Sequence, residues 1–391
     1  MAEEKFDCII VGGGLAGLTA AYVLAKEGQE VLLVERGNYS GSKNVTGGRL
    51  YGHSLEKVIP GFAKSAPIER RMVKERLSSY EEGGLVTTEY DSLKLAVPEG
   101  ESYSVLRSKF DQWFAGQAEE QGAMLVCGVR VDDIILRDGK VCGVIADGEE
   151  MESDMVILAD GVNSLLSQKL GFKQSVRQDQ AVIGVKEVIG LNEGMINERF
   201  QMNSGEGVAW MFSGCGDVYD GFLYTNKDSI SIGVTMLVEK IRETDISVPQ
   251  MLEELKNRPE IKPLLSGGSL LEYSAHLIPE ADLAMLPKLY GDGVLIAGDA
   301  AALCADLGFT LRGMDLAIES GRLAAMAVLE AKEKGDYTAE CLSSYQAALE
   351  NSFVIPCIEG AKACRSEVKR GSYKNNPLKT FQDIMLQEKI R

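Results

Sequence analysis

Gly12-Gly13-Gly14-Leu15-Ala16-Gly17 has the spacing G-x-G-x-x-G, and the chemistry it suits is holding a pyrophosphate. Gly12 permits a tight turn, Gly14 lets phosphate oxygens approach bare backbone, and Gly17 lets a helix pack closely on a strand. A helix opening at Leu15 and Ala16 adds unpaired N–H groups and a partial positive charge. Glu35, followed by Arg36, stands where an acid can take both hydroxyls of an adenosine ribose and repel a 2′-phosphate. These residues point to a bound dinucleotide and leave NAD and FAD both open. Ala297-Gly298-Asp299-Ala300-Ala301 separates them, because Asp299 is placed to accept hydrogen bonds from a ribityl chain, which FAD has and NAD lacks. The competing reading of Asp299 is a helix-capping carboxylate. Ala159-Asp160-Gly161 is a third such group, with a plain turn as its competitor.

The elements that must carry these residues are legible around them. Phe6 to Val11 is an apolar run ending in glycines, the pattern of a buried parallel strand. Leu15 to Lys26 has helical spacing closed by Gly28, and Val31 to Val34 is the next strand. Between Gly37 and Gly61 the pattern breaks into a long Gly/Asn/Ser/Thr-rich loop, of the kind usually kept for function. Arg107 to Gly122 reads as a helix with Phe110, Trp113, Phe114 and Ala118 on its core face. Short strands follow from about 125 to 158, with a hairpin turn at Asp138–Gly139, and they end in the apolar run before Asp160. Longer alternating segments between about 180 and 280, with a turn at Asn226–Lys227–Asp228, predict a largely antiparallel sheet. A buried strand then leads into Asp299, and a long Ala/Leu/Met-rich helix starts at about Arg312.

Composition narrows the function classes. The chain has 391 residues, 45% hydrophobic and 25% charged, with a formal net charge of −17. That length favours a large domain with a smaller second one. The acidic balance argues against nucleic acid, whose phosphates require a basic face. The first residues show no secretory signal, and no apolar run approaches the roughly 18–20 residues of a membrane span. The expected setting is cytoplasmic, with any membrane contact peripheral. The eight cysteines form no C-x-x-C pair or four-ligand cluster, and only His53 and His276 are available. No metal site is expected, and His276 reads as a structural hydrogen-bonding residue. From Lys362 to Arg391 eight basic residues face three acids, a solvated helix or a docking segment.

Longer stretches carry a resemblance. KNVTGGRLYGHSLEKVIPGF (43–62), SYSVLRSKFDQWF (102–114), VILADGVNSLL (156–166), LEYSAHLIPEA (271–281) and LGFTLRGMDLAIESG (307–321) resemble the FixC family, allied to the electron-transfer flavoprotein:quinone oxidoreductases. The resemblance runs to about residue 350. It implies an α/β fold: a glutathione-reductase-type, Rossmann-like FAD-binding domain with an inserted, mainly antiparallel second domain. The FAD domain would comprise 1–75, 106–178 and 289–335, the second domain 76–105 and 179–288, and a C-terminal helical segment 336–391. It places Asn44, Thr46, Gly47 and Gly48 against the flavin ring, Arg107 at the FAD phosphates and the Val131 backbone at the adenine. Arg107 also reads as one half of a surface ion pair. Arg312, Gly313 and Met314 would sit at the pyrimidine edge, where a helix start and a guanidinium stabilise an anionic reduced ring.

With no nucleophile–base pair in view, the flavin carries the chemistry and no residue is expected to be catalytic. The resemblance implies electron transfer from an electron-transfer flavoprotein to a small [4Fe–4S] ferredoxin-like protein, with quinone at a peripheral membrane contact as a further acceptor. A separate ferredoxin-like partner is expected because this chain has no four-cysteine module of its own. Ala302 and Asp306 stand where the family more often has Gly and Asn, and the chain reads as shortened after about residue 375. Two other readings are a reductase or hydroxylase of an organic substrate, of the geranylgeranyl-reductase kind, and a non-enzymatic FAD-stabilised assembly subunit.

Overall fold

A computed structural model describes residues 5–42, 48–81, 84–91, 101–215, 218–280, 283–308 and 310–369. Phe6–Val11 lies at the centre of a parallel sheet, between Val31–Glu35 on one side and Glu149–Leu158 on the other. Met124–Cys127 extends the sheet beyond Val31–Glu35, and Val294–Ile296 extends it beyond Glu149–Leu158. Cys8, Ile9 and Ile10 are fully buried, as a strand covered on both faces requires. Helix Leu15–Lys26 packs against this sheet and against helices Arg107–Glu120 and Met314–Lys334. It ends where expected, with Gly28 at φ +75° and its N–H donating to the Ala25 carbonyl. The predicted hairpin is present: Val131–Arg137 pairs with Lys140–Ala146 through Asp138 and Gly139, at φ 52° and 83°. Two successive left-handed residues are what a two-residue hairpin turn needs.

Among the described residues the second sheet has nine strands, and Ala181–Gly190, Tyr219–Thr225, Ser229–Leu237 and Ser269–Pro279 pair antiparallel at one side of it. Glu206–Cys215 pairs antiparallel with Tyr219–Thr225 and parallel with Ile68–Glu81. Ile68–Glu81, which spans the expected boundary at 75/76, pairs on its other side with Ser102–Val105, and Arg49–Tyr51, which precedes that boundary, pairs with Ser102–Val105 in turn. The segment read as a loop from Gly37 to Gly61 therefore contains a strand, and a short helix His53–Val58 follows that strand. Three- and six-residue elements are too short to show a period, so the glycines and asparagines around them dominate the pattern.

One face of the second sheet, including Trp210, Phe212 and Leu223, makes its own core with Met251, Leu252 and Leu255 of helix Val248–Asn257. The opposite face, with Ala209, Met211, Phe222 and Tyr224, joins the main core. It is this second face that looks toward the ends of the parallel strands.

Those strand ends are held by very close backbone contacts. A Cβ at Gly17 would lie 2.0 Å from the Gly12 carbonyl oxygen, and one at Gly321 would lie 2.2 Å from the Ala16 carbonyl oxygen. Gly298, at φ +65°, has the Ala16 Cβ 2.8 Å from where its own Cβ would stand. Its N–H donates to Ser320 Oγ at 3.0 Å. The first helix, the turn after Ile296 and the long helix therefore meet on Ala16, through positions where a side chain cannot stand. We expect Gly321→Ala to destabilise the protein by about 1–3 kcal/mol through overpacking. Gly116→Ala, on an open helix face with nothing within 4 Å of its Cβ, should stabilise it by about 0.5–1 kcal/mol. Urea unfolding of the two variants beside the parent checks the opposite signs.

Candidate functional site

The carboxyl ends of the parallel strands open on one cavity of about 710 Å³, closed on its far side by the second sheet. Crevices at strand carboxyl ends are where open α/β sheets bind ligands. The main-chain ladders run straight into the loops that line it. Gly12 N donates to the Val34 carbonyl at 2.9 Å, Ala159 N to Val11 at 2.8 Å and Ala297 N to Leu158 at 2.9 Å. Each candidate loop thus leaves its strand in a fixed direction.

At one end stand Glu35 and Arg36, with Val129 to Asp132 beside them. The Glu35 carboxylate is oriented by two backbone donors, Gly13 N at 2.7 Å to Oε2 and Gly37 N at 2.6 Å to Oε1. Each oxygen keeps a further lone pair for a hydroxyl. Next to it, helix Leu15–Lys26 begins at Gly14 with no capping side chain and no acid in its first turn. Its first N–H groups are thereby left for an anion. Gly12, Gly14, Leu15 and Ala16 line the cavity, while Gly17 lies behind them as packing.

The middle of the cavity is a cluster of charges. Asp299, Asp160, Arg107 and His276 line it. Lys173 ties the two loops together by donating to the Val162 carbonyl at 2.8 Å and the Ala300 carbonyl at 3.1 Å. Burial raises Asp299 above the usual carboxylate range, opposed by His276, Arg107 and Lys173. Burial likewise raises Asp160, although Ser164 Oγ donates to it at 2.8 Å. Burial works against the Arg107 cation, but Asp111 outweighs it and holds the guanidinium charged. Arg107 donates through Nε at 2.7 Å and Nη2 at 2.8 Å to Asp111, which is fully buried. The pair predicted for the surface is an interior one.

The far end is walled by Phe222, Tyr224, Ile183, Leu277 and Ile278 from the second sheet, and by Gly48, Arg49, Gly313 and Met314. Gly48 lies flat on Tyr224: a Cβ there would come within 2.2 Å of the ring. Helix Met314–Lys334 starts here, capped by no side chain at Gly313. A side pocket of about 60 Å³ adjoins this end through Thr235, Ile278, Cys304 and Leu311.

Val131, Ala159, Gly161 and Gly298 also line the cavity, and Asn44, Thr46 and Gly47 lie outside the described residues. Arg312, like Gly17, does not line the cavity. It is 3% exposed, and its Nε donates to Asp315 Oδ2 at 3.0 Å, in the first turn of the helix that follows. A helix start fixes the backbone at that position, and the choice of partner fixes the side chain. Sequence reasoning passed over Arg49, Lys173 and the sheet residues Phe222, Tyr224 and Ile278. Arg49 sat inside the apparent loop, and the sheet residues read only as core positions.

The donor set fits FAD: an acid for a ribose, helix N-termini for phosphates, a second carboxylate midway, and an apolar aromatic end. Among the described residues no group of three or more His, Cys, Asp or Glu could hold a metal ion, and no helix is long and apolar enough to cross a membrane.

Comparison with known proteins agrees. The family model "FAD dependent oxidoreductase" matches residues 7–98. The chain is 52% identical over 354 residues to Protein FixC of Escherichia coli K12, covering 90% of this chain and 83% of that protein. It is 50% identical to the probable electron transfer flavoprotein-quinone oxidoreductase YdiS of the same organism, over 91% and 83% of the two chains. Protein FixC of Azorhizobium caulinodans is 38% identical over 91% and 83%. Among solved structures, a geranylgeranyl bacteriochlorophyll reductase-like protein from Thermoplasma acidophilum superposes with TM-score 0.75 at 20% identity, covering 93% of this chain and 88% of that one. The flavin-dependent brominase Bmp2 superposes with TM-score 0.73 at 17% identity, over 98% and 93%. These two similarities show a shared fold, mixed α/β with large sheets.

Asp299 supplies a test of the site. A carboxyl whose folded pKa is raised destabilises the fold as pH rises from the ordinary carboxylate range through its folded value. Asp299→Asn should therefore stabilise the FAD-free protein at neutral pH, and the gain should vanish below about pH 4. The same change should weaken FAD binding by about 10–100-fold, the scale of one hydrogen bond to a charged group. Thermal unfolding of the FAD-free protein against pH, with FAD titration by flavin fluorescence, reads both signs.

Proposed function

The chain belongs to the FixC family of FAD-dependent electron-transfer oxidoreductases; from that premise we propose that it takes electrons from an electron-transfer flavoprotein and delivers them to a small ferredoxin-like protein and onward to quinone. FAD, when bound, supplies the ability to accept electrons from one partner and release them to another. The observation that favours the relay reading is the small size of the side pocket adjoining the aromatic end. The side pocket there is about 60 Å³, whereas sites for organic ligands run to about 300–1,000 Å³. That is space for a few waters and too little for a ring-bearing substrate.

The chain's own residues then bind, orient and shield. Glu35, set by the amides of Gly13 and Gly37, holds the adenosine ribose, and Arg36 and the Val131 backbone flank the adenine. The N–H groups at Gly14, Leu15 and Ala16 hold the pyrophosphate, with Arg107 adding positive charge nearby. Asp299 and Gly298 take the ribityl chain, and Ala159, Asp160 and Gly161 close the same side. Gly48 covers the ring. The helix start at Gly313 and Met314 favours negative charge on it. Tyr224, 6% exposed and pressed on Gly48, excludes water from that end.

The roles separate experimentally by the source of electrons. In anaerobic stopped flow, reduced electron-transfer flavoprotein should bleach the visible absorbance of the bound FAD rapidly, and NADH at the same concentration should leave it oxidised. Fast bleaching by NADH alone would exclude the relay in favour of a pyridine-nucleotide reductase.

A further inference from the structure

Arg49 is the cation on the cavity wall at its aromatic end, and it is 5% exposed. Its Nη1 pairs with Glu75 Oε1 and its Nε donates to Ser102 Oγ at 2.9 Å. Strands Ile68–Glu81 and Ser102–Val105 therefore fix the guanidinium from behind. The guanidinium carbon lies 4.6 Å from the centroid of the Tyr51 ring, two residues along the same strand. The guanidinium carbon of Arg312 lies 4.7 Å from that same centroid. Tyr51 thus bridges two buried cations, and each cation has its own carboxylate, Glu75 for Arg49 and Asp315 for Arg312. Two like charges this close in a dry interior are tolerable only with such compensation.

The two halves of this unit differ in what they face. Arg312 is directed to Asp315 and to the ring of Phe353, 5.6 Å away, so its charge is enclosed by helix and aromatic groups. Arg49 is as little exposed as Arg312, but it belongs to the residues that line the cavity and Arg312 does not. The Glu35 end takes the adenosine, so the opposite end, where Arg49 stands, takes the redox ring. A cation held there in a low-dielectric wall acts strongly on charge that develops on a neighbouring group.

We propose that Arg49, not Arg312, is the side chain that sets the reduction potential of the bound flavin, and that Glu75 limits how much of its charge is felt. The arrangement Glu75–Arg49–Tyr51–Arg312–Asp315 then works as a balanced unit: Tyr51 spaces the cations, Arg312 anchors the start of the long helix, and Arg49 stands in the wall beside the cofactor. This rests on the FAD relay reading. Because reduction adds negative charge, removing the cation and removing its counterion must act in opposite directions.

Spectroelectrochemical titration of the FAD-loaded protein tests it. Arg49→Met should lower the reduced-to-oxidised ratio at a fixed applied potential by about tenfold or more, the scale of one contact to a charged group. Glu75→Gln should raise that ratio, and Arg49→Lys should stay near the parent. Arg312→Lys should change unfolding stability more than it changes the ratio. If Arg49→Met fails to fold because it strands Glu75, the Arg49→Met/Glu75→Gln double variant, predicted near or slightly below the parent, takes its place. Shifts of the same sign for Arg49→Met and Glu75→Gln, or no shift in either with FAD retained, would overturn the proposal. A parent protein that purifies without a flavin spectrum would instead remove the relay reading beneath it.

Discussion

Everything at this site depends on how closely backbone can approach backbone around Ala16. The carbonyl oxygen of Ala16 faces Gly321 and its Cβ faces Gly298, while Gly17 one residue later presses on the Gly12 carbonyl. Three elements far apart in sequence therefore converge without side chains between them. Had any of these positions carried a Cβ, the long helix and the turn holding Asp299 would stand off from the glycine loop. The cavity between them would widen, and its carboxylates would lose their register with the helix N-termini. Packing at this point is what lets a loop near residue 12 and a turn near residue 299 act on one ligand.

The second constraint is electrostatic. The chain is strongly acidic, yet the site gathers cations, and most of them are matched in place. Arg107 is fastened to Asp111, Arg312 to Asp315 and Arg49 to Glu75, all buried or nearly so. Leaving any one of these charges without its partner in the interior would be strongly destabilising. Matching keeps the local field modest, so what a ligand feels is set by direction: which guanidinium, carboxylate or helix end faces the cavity. Such a wall suits a cofactor whose potential must be tuned more than it suits acid–base chemistry. His276 illustrates this, since burial lowers its pKa while Asp299 and Arg107 act on it in opposite senses.

The sequence disclosed the parts of the fold that are written locally. The glycine loop, the Asp138–Gly139 hairpin and helix Leu15–Lys26 each have their cause within a few neighbouring residues, and all three are where the pattern put them. Pairings whose cause is distant were not legible. The parallel contact of Glu206–Cys215 with Ile68–Glu81 joins segments more than a hundred residues apart and leaves no periodic trace. Nor does the strand at Arg49, whose partner Ser102–Val105 supplies the order that the Gly-rich surroundings conceal. The need for glycine at 321 is equally invisible, because the atom it avoids belongs to Ala16.

Arg312 shows most clearly what a motif conveys and what it omits. Its place before a helix start goes with Gly313 and Met314 among the residues that line the cavity, since helix geometry follows from chain order. The side chain had a choice between the ligand space and Asp315, three residues on, in the first turn of the helix. A buried carboxylate without a cation would be far costlier than a cavity wall without a guanidinium, so the pair forms and Arg312 turns inward. Arg49 is likewise paired, with Glu75 and Ser102 of the sheet, but that pairing leaves it among the residues that line the cavity. Chain order singled out Arg312 alone, and it was strand pairing, invisible in the sequence, that brought Arg49 to the cavity wall.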